Sequence, residues 1–449
     1  MSHPRHSPLR RRLADCAAAL VAALAVTVLQ VAGASPASAE ALLLIEADTG
    51  KVLHAENATL PWYPASVTKL MTAYTALRAV KDGRMTMDSL LTMSPAAVAQ
   101  QPTKMGFPVG TTLTLDNALK MLMVKSANDV AVAIAEGVGG SVDGFADQMN
   151  ANAARLGMTQ SHFVNPNGLP AEHHVSSARD MAILARALIR EFPERDALWH
   201  ISAIRYGKRV MRNYNTLIDR YPGADGMKTG FICASGYNLV ASATHHGKRL
   251  IAVVFGAYGG AARAQKAAQL FERGFSSGGL SWLTPSLGTV DALTPIDAAP
   301  MDLRDEMCGK HRRKPPSEAN DEDESAQASG ETASGDNAGA TQLFSLSAAK
   351  PEKYILPPAS VTGPVVNVYT GTARNPTDNA IPVAAKASKK KKTAHAKAGK
   401  ASKTGKTSIT IKVKDAAKDK PKADAKPAAK PAAKPAAKPA AKKKAAAAQ

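Results

Sequence analysis

Three short stretches of this 449-residue chain carry residue types and spacings from which a serine nucleophile can be built. In Ser66-Val67-Thr68-Lys69 the serine and lysine are three positions apart. On a helix they share a face, so the amine can reach the hydroxyl. A serine attacks poorly unless a base takes its proton. A lysine desolvated by apolar neighbours and a nearby cation loses basicity, and its neutral amine can be that base. Pro64 suits a chain entering a helix, which would place Ser66 at the positive end of the helix dipole. Ser126-Ala127-Asn128 is the one Ser-x-Asn in the chain. Its hydroxyl can relay a proton to a leaving group and its amide can hold a substrate carbonyl; alone, the serine would read as a helix N-cap. Lys228-Thr229-Gly230 opens a predicted strand. A strand edge pairs with an extended peptide, a lysine and a threonine attract a terminal carboxylate, and a glycine admits close backbone approach.

Each motif is weak by itself. Ser-x-x-Lys recurs at Ser347/Lys350 and Ser388/Lys391, and Lys-Thr-Gly at Lys403-Thr404-Gly405, in low-complexity or tail sequence without an amphipathic helix. A P-loop-like run from Gly399 to Lys406-Thr407 has one residue too many between its glycines and lacks a preceding strand. The first three motifs differ in their order and in the elements around them. Residues 41–46 (ALLLIE) and KVLHAE read as strands about an Asp48-Thr49-Gly50 turn. Val67, Leu70, Met71, Tyr74 and Leu77 follow at helical spacing. Residues 114–136 are helix-rich with a break near Ser126, which would aim that motif into a cleft. Amphipathic helices are predicted at 145–156 and 177–190. Strands are predicted at 204–211, 227–233, 237–243 and 250–257, and a last helix at 262–273. The order implies an α+β fold, an antiparallel sheet flanked by helices beside a helical lobe, within residues 40–275.

The remainder reads as non-core. Arg10-Arg11-Arg12, an apolar run over 17–31 and Ala37-Ser38-Ala39 form a cleavable export signal over 1–39. No later stretch reaches the about 18 apolar residues of a membrane span. Residues 276–385 read as a partly disordered linker, acidic and small-residue-rich over 316–340, with short strands at LFSLS and VVNVYTG. Residues 386–449 form a disordered Lys/Ala/Pro-rich tail whose four KPAA repeats forbid a continuous helix. The net charge of +20 suggests a nucleic-acid binder, but the tail alone holds 21 Lys against 3 Asp, and residues 40–385 sum to −1. The basicity therefore belongs to a tail, and export separates that tail from chromosomal DNA, so no nucleic-acid partner is expected. Cys16 leaves with the signal; Cys233 and Cys308 then face an oxidising compartment and either pair or leave Cys233 as a buried strand residue. His173-His174 and His245-His246 are adjacent pairs that cannot both face one ion, so neither a metal nor another cofactor is expected.

The three motifs lie 60 and 102 residues apart, in the order that marks β-lactamases and penicillin-binding proteins. With PASVTKLMTAY, HFVNPNGLP followed by SSARDMA, and YPGADGMKTGF, the sequence resembles one family over residues 41–275: the low-molecular-mass penicillin-binding proteins that act as serine D-alanyl-D-alanine carboxypeptidases. The resemblance implies Ser66 as nucleophile, Lys69 as its base, and Ser126 and Asn128 as proton relay and substrate clamp. It implies Lys228, Thr229 and Gly230 as the carboxylate-binding strand, the backbone N–H groups of Ser66 and Phe231 as an oxyanion hole, and Arg263 as a second carboxylate anchor. Peptidoglycan stem peptides would be the substrate and β-lactams covalent inhibitors, on the periplasmic or wall side of the membrane. Ala127 stands where that family often has glycine or aspartate, and the sequence after 275 shows neither its compact β-rich domain nor its amphipathic anchor helix.

Three other readings compete. A class A β-lactamase would carry a Glu-x-x-Leu-Asn glutamate, and none of Glu136, Glu172, Glu191 or Glu194 has that setting. An endopeptidase cutting cross-links would use the same residues. An inactive exported protein could bind anionic wall or membrane polymers through the basic tail, each charge adding about 1 kcal/mol before screening; the intact Ser66/Lys69 pair speaks against inactivity.

Overall fold

The computed structural model describes residues 40–276, 286–310, 354–357, 363 and 365–372. The predicted export signal, the predicted strand LFSLS, the acidic stretch 316–340, the basic tail and the repeated Ser-x-x-Lys and Lys-Thr-Gly runs lie outside them.

A five-stranded antiparallel sheet runs in the order β2-β1-β9-β8-β7, from β1 (Ala41–Glu46), β2 (Val52–Glu56), β7 (Ala224–Ile232), β8 (Gly236–His245) and β9 (Lys248–Ala257). Its central strands are apolar on both sides because both faces are covered. Leu42 and Leu44 of β1 join Leu239, Leu250, Ala252 and Val254 under α6 (Gly260–Ser276), which supplies Ala264, Ala267, Ala268 and Phe271. Leu43 and Ile45, one residue out of phase, join Val240, Ile251 and Val253 in the larger core shared with the helical lobe. Period-two alternation thus sorts one strand into two cores.

The lobe comprises α1 (Lys69–Lys81), α2 (Leu115–Val124), α3 (Asn128–Gly139), α4 (Val142–Leu156) and α5 (Ala178–Glu191). Side-chain caps start three of these helices: Thr114, Ser141 and Ser177 accept from the backbone N–H three residues on, each satisfying a donor the helix leaves open.

Two expectations change. The stretch 204–211 is not one strand but a hairpin, β5 (Ala203–Tyr206) and β6 (Arg209–Arg212), turning at Gly207 with φ +56°. It lies outside the main sheet, and β10 (Val365–Asn367), within the predicted VVNVYTG strand, pairs parallel to β5. A small ladder of β3 (Leu90–Thr92) and β4 (Thr112–Thr114) was not foreseen, because three-residue strands carry too little periodicity to read.

Residues 286–310 form a strap across the domain. Val52 N–H donates to Gly288 O (2.9 Å) and Val290 N–H to Gly50 O (2.8 Å) at one end; Leu303 N–H donates to Ala234 O (3.0 Å) at the other. There Cys308, closing a short helix over Arg304–Cys308, is disulfide-bonded to Cys233, which resolves the cysteine alternatives in favour of pairing. Among the described residues no helix is long and apolar enough to cross a membrane.

Candidate active site

Ser66 lies in a 3₁₀ turn, Ala65–Thr68, that runs straight into α1. Ala65, just ahead of it, holds φ +51°, a left-handed conformation costly for a residue with a side chain. Surrounding contacts hold that turn: Asn238 Nδ2 donates to Tyr63 O (2.9 Å) and Pro64 O (3.2 Å), and Trp62 Nε1 to Ser235 O (3.0 Å). Gly168 presses so closely that a Cβ on it would lie 1.9 Å from Ala65 O. Ser66 itself is half-buried.

Lys69 is fully buried. Its Nζ lies 2.9 Å from Ser66 Oγ, 2.7 Å from Asn128 Oδ1 and 2.6 Å from Asn167 O. Two of these neighbours are carbonyl oxygens, which can only accept. They take two N–H bonds in either protonation state, and the third tetrahedral direction meets the serine. As an ammonium the group donates to Ser66 Oγ; as an amine it offers that hydroxyl a lone pair.

The Ser126 motif sits where the helix pattern breaks. α2 ends at Val124, α3 begins at Asn128, and Ser126 holds φ +57° between them. Thr103 Oγ1 donates to Ser126 O (2.9 Å), and Asp129 accepts from the N–H groups of Met105 (3.1 Å) and Gly106 (2.8 Å), so the loop over 101–106 clamps the break. Asn128 Oδ1 faces Lys69 while Nδ2 donates to Gln101 O (2.9 Å). Ser126 Oγ is buried with no partner among the described residues.

Lys228, Thr229 and Gly230 lie on β7, the outermost strand of the main sheet, against the Ser66 turn. A Cβ on Gly230 would lie 2.7 Å from Ser66 N and 2.9 Å from Val67 N. The glycine is therefore required by the packing of strand against turn. It also brings the backbones of Ser66 and Phe231 together. Lys228 is buried with Nζ 2.9 Å from Thr229 O, and Thr229 Oγ1 is a second buried hydroxyl without a partner among the described residues. An unpaired buried hydroxyl costs about 1–3 kcal/mol.

Arg263 stands one layer behind. It is buried near the start of α6, with Nη1 3.4 Å from Asn238 O, Nη2 3.3 Å from Tyr214 O, and its guanidinium 5.6 Å from the Tyr237 ring centre. Phe231 packs on the same ring at 4.4 Å, so Arg263 reaches β7 through Tyr237.

Several contributors were not singled out from the sequence. Asn167 and Gly168 belong to the NPNGLP run, whose Asn-Pro and Asn-Gly pairs are turn signals; what they did not disclose is that the turn delivers a carbonyl to Lys69. His174 Nδ1 accepts from Val164 N–H (3.1 Å), which leaves the proton on Nε2 to donate to Thr68 Oγ1 (2.9 Å), next to Lys69. Burial, with His162 and Lys69 nearby, pushes the His174 pKa down to about 3. Tyr214 OH accepts from Lys125 Nζ at 2.5 Å beside Ser126. Among the described residues no group of three or more His, Cys, Asp or Glu could hold a metal ion.

This arrangement sits in a chain whose residues 29–259 match the family model for D-alanyl-D-alanine carboxypeptidases. The chain belongs to that family. It is 39% identical over 223 residues to the D-alanyl-D-alanine carboxypeptidase DacF of Bacillus subtilis, covering 49% of this chain and 57% of the relative. It is 36% identical over 280 residues to DacC of Escherichia coli, covering 60% and 70%. Among solved structures, penicillin binding protein 5 of Haemophilus influenzae superposes with a TM-score of 0.52 at 34% identity, over 54% of this chain and 73% of that one. DacD of Francisella tularensis gives 0.51 at 29%, over 53% and 70%. The first two curated relatives are spanned over 57% and 62% of their length.

Proposed function

We propose that the protein is a serine D-alanyl-D-alanine carboxypeptidase that removes the terminal D-alanine from peptidoglycan stem peptides through an acyl-Ser66 intermediate. The observation that carries this reading is the Lys69 amine, buried and held between two carbonyl oxygens with its third direction on Ser66 Oγ. As Ser66 Oγ bonds to the carbonyl carbon of the penultimate residue, its proton passes to Lys69 Nζ. The oxyanion meets the N–H groups of Ser66 and Phe231. Ser126 Oγ hands a proton to the departing amine as the C–N bond breaks and takes one back from the Lys69 ammonium, which leaves Lys69 neutral again, and D-alanine departs with its carboxylate toward Lys228 and Thr229. Water then cleaves the ester with Lys69 as base, which restores the serine.

The surroundings of the glutamates favour this over a β-lactamase. Glu136 accepts from Ser94, Glu191 is engaged by Tyr74 and Arg155, and Glu172 and Glu194 are exposed. Each glutamate is thus engaged or exposed elsewhere, so penicillin should acylate Ser66 and leave slowly. Mass spectrometry after labelled penicillin, with a D-alanine release assay, tests both points. A label elsewhere than Ser66, or no release of D-alanine, overturns the reading.

Export through residues 1–39 would place the enzyme on the wall side of the membrane, residues 40–275 being the catalytic domain. Residues 386–449, with +18 of charge against −1 over 40–385, would hold it near an anionic wall or membrane polymer. That attraction weakens as salt shortens the screening length from about 10 Å at 0.1 M to about 3 Å at 1 M. A chain ending at Val383 should sediment less with cell walls and anionic vesicles, yet turn over a soluble peptide unchanged. Unchanged sedimentation removes this role from the tail.

A further inference from the structure

The hairpin β5–β6 concentrates charge that no step of the mechanism uses. From Ala203 to Arg212 it holds Arg205, Lys208, Arg209 and Arg212 and no acidic residue, within a stretch, 40–385, that sums to −1. All four are exposed. Among the described residues none of the four has a side-chain hydrogen bond or an ion pair, whereas Arg78, Arg155 and Arg179 meet acidic side chains at 3.0, 3.3 and 2.7 Å. The pleat arranges these charges. Ile204 lies opposite Met211, and both are buried in the core shared with the helical lobe. Ala203 lies opposite Arg212 and Arg205 opposite Val210, so Arg205, Val210 and Arg212 share the other face. Like charges on one face of a strand pair repel. The hairpin is also open along one side. The sheet order is β10-β5-β6, which makes β6 an edge. Asn213 N–H donates to Ser202 O (2.7 Å), so Ile204/Met211 and Tyr206/Arg209 are the hydrogen-bonded pairs, and Val210 and Arg212 turn their N–H and C=O groups to the open side.

This basic edge borders the catalytic cleft. The Tyr206 ring meets Phe107 edge-on at 5.2 Å, and Met105 and Gly106, just before Phe107, belong to the loop that clamps the Ser126 break through Asp129. Two residues past β6, Tyr214 OH accepts from Lys125 beside Ser126. We propose that the hairpin docks peptidoglycan through the carboxylates of stem peptides neighbouring the one in the cleft, an inference that rests on the carboxypeptidase reading. A stem ends in a free carboxylate. Hydrolysis of its last amide bond by water releases D-alanine and leaves a new carboxylate on the shortened stem, so a polymer of many stems keeps its terminal charges through the reaction. A guanidinium fork grips a carboxylate bidentately where an ammonium acts as a point charge. Three of the hairpin's four cations are arginine, while the tail over 386–449 has lysine alone. The open N–H and C=O groups of β6 can pair with an extended peptide. The hairpin thus holds the folded domain against the polymer between turnovers, beside the cleft itself.

The experiment measures co-sedimentation with purified peptidoglycan for the full chain and for its Arg205→Gln/Arg209→Gln/Arg212→Gln variant, the tail being present in both and thermal melts confirming that the variant is folded. The variant should bind about tenfold more weakly, the sum of three exposed ion pairs. It should release D-alanine from sub-saturating polymer more slowly in proportion, with kcat/KM for a soluble pentapeptide unchanged. The difference in binding should be present at about 0.1 M salt and vanish at about 1 M. Peptidoglycan whose carboxylates have been amidated should bind the two proteins alike. Equal binding of both proteins to untreated peptidoglycan overturns the proposal and leaves the arginines as charges that keep an edge strand from pairing with another copy. A difference that persists on amidated polymer, or that arises only with anionic vesicles, overturns it too. A wild type that binds peptidoglycan better than the variant but releases no D-alanine from polymer or pentapeptide overturns the carboxypeptidase reading and not the docking surface.

Discussion

Lowering the pH from 7.5 to 5 should destabilise the folded protein in a way traceable to His174. This imidazole is 3% exposed, accepts from Val164 N–H, donates to Thr68 Oγ1 and has its pKa pushed down to about 3. In the unfolded chain it titrates at the ordinary value of 6.5. A depressed folded-state pKa means the unfolded chain binds the proton first. The contribution is fully present above 6.5 and is lost as pH falls from 6.5 toward 3. The slope is about 1.4 kcal/mol per pH unit inside that window, so pH 5 removes about 2 kcal/mol. Protonation would also abolish the acceptor that Val164 N–H needs and set a cation beside Lys69. The assay is urea unfolding of the wild type and His174→Gln at pH 7.5, 6 and 5. The variant should start lower at pH 7.5, having lost its hydrogen bonds, but fall less steeply. Asp180, whose carboxyl burial pushes up, acts with the opposite sign near its own titration; it is common to both proteins and cancels in their difference. Parallel pH slopes for the two proteins would refute the assignment of a neutral, buried His174.

Three further outcomes follow from the site. Ser66→Ala should abolish penicillin labelling and D-alanine release, and Lys69→Ala should cost nearly as much, because nucleophile and base act as a unit whose losses do not add; normal labelling of Ser66→Ala would remove it as nucleophile. Gly230→Ala should lower the penicillin acylation rate about 100-fold, since its Cβ would lie 2.7 Å from Ser66 N and must displace backbone; a near-normal rate in stopped-flow acylation would show that the turn yields freely. Arg263→Ala should weaken hydrolysis of peptides with a free terminal carboxylate more than it weakens penicillin acylation. Equal losses would mean that the residue only supports Tyr237 and the backbone at Tyr214.

How much of this was legible depended on whether a feature is local. The Ser66/Lys69 spacing, the break at Ser126 and the strand over 41–46 are set by neighbours within a few positions, and the structure carries them at the predicted places. The hairpin at 203–212 was misread because its two strands are separated by only Gly207 and Lys208, so the two short segments read as one. The contributions of Asn167, His174 and Asn238 were not legible, because each acts across a large sequence distance. Asn167 presents a backbone oxygen to Lys69, and no side-chain motif encodes the direction of a carbonyl. His174 matters by where Thr68 lies, 106 positions earlier, and nothing in its own surroundings separates it from the exposed His173 beside it. Cys233 and Cys308 show the same limit: composition restricts the partners to two, but only the strap from Gly288 to Leu303, bonded along its length to β2, Pro61 and Ala234, makes their meeting necessary. Motif chemistry is therefore readable where a side chain acts through its own helix or strand, while the groups that tune and enclose that chemistry emerge only once distant segments have packed.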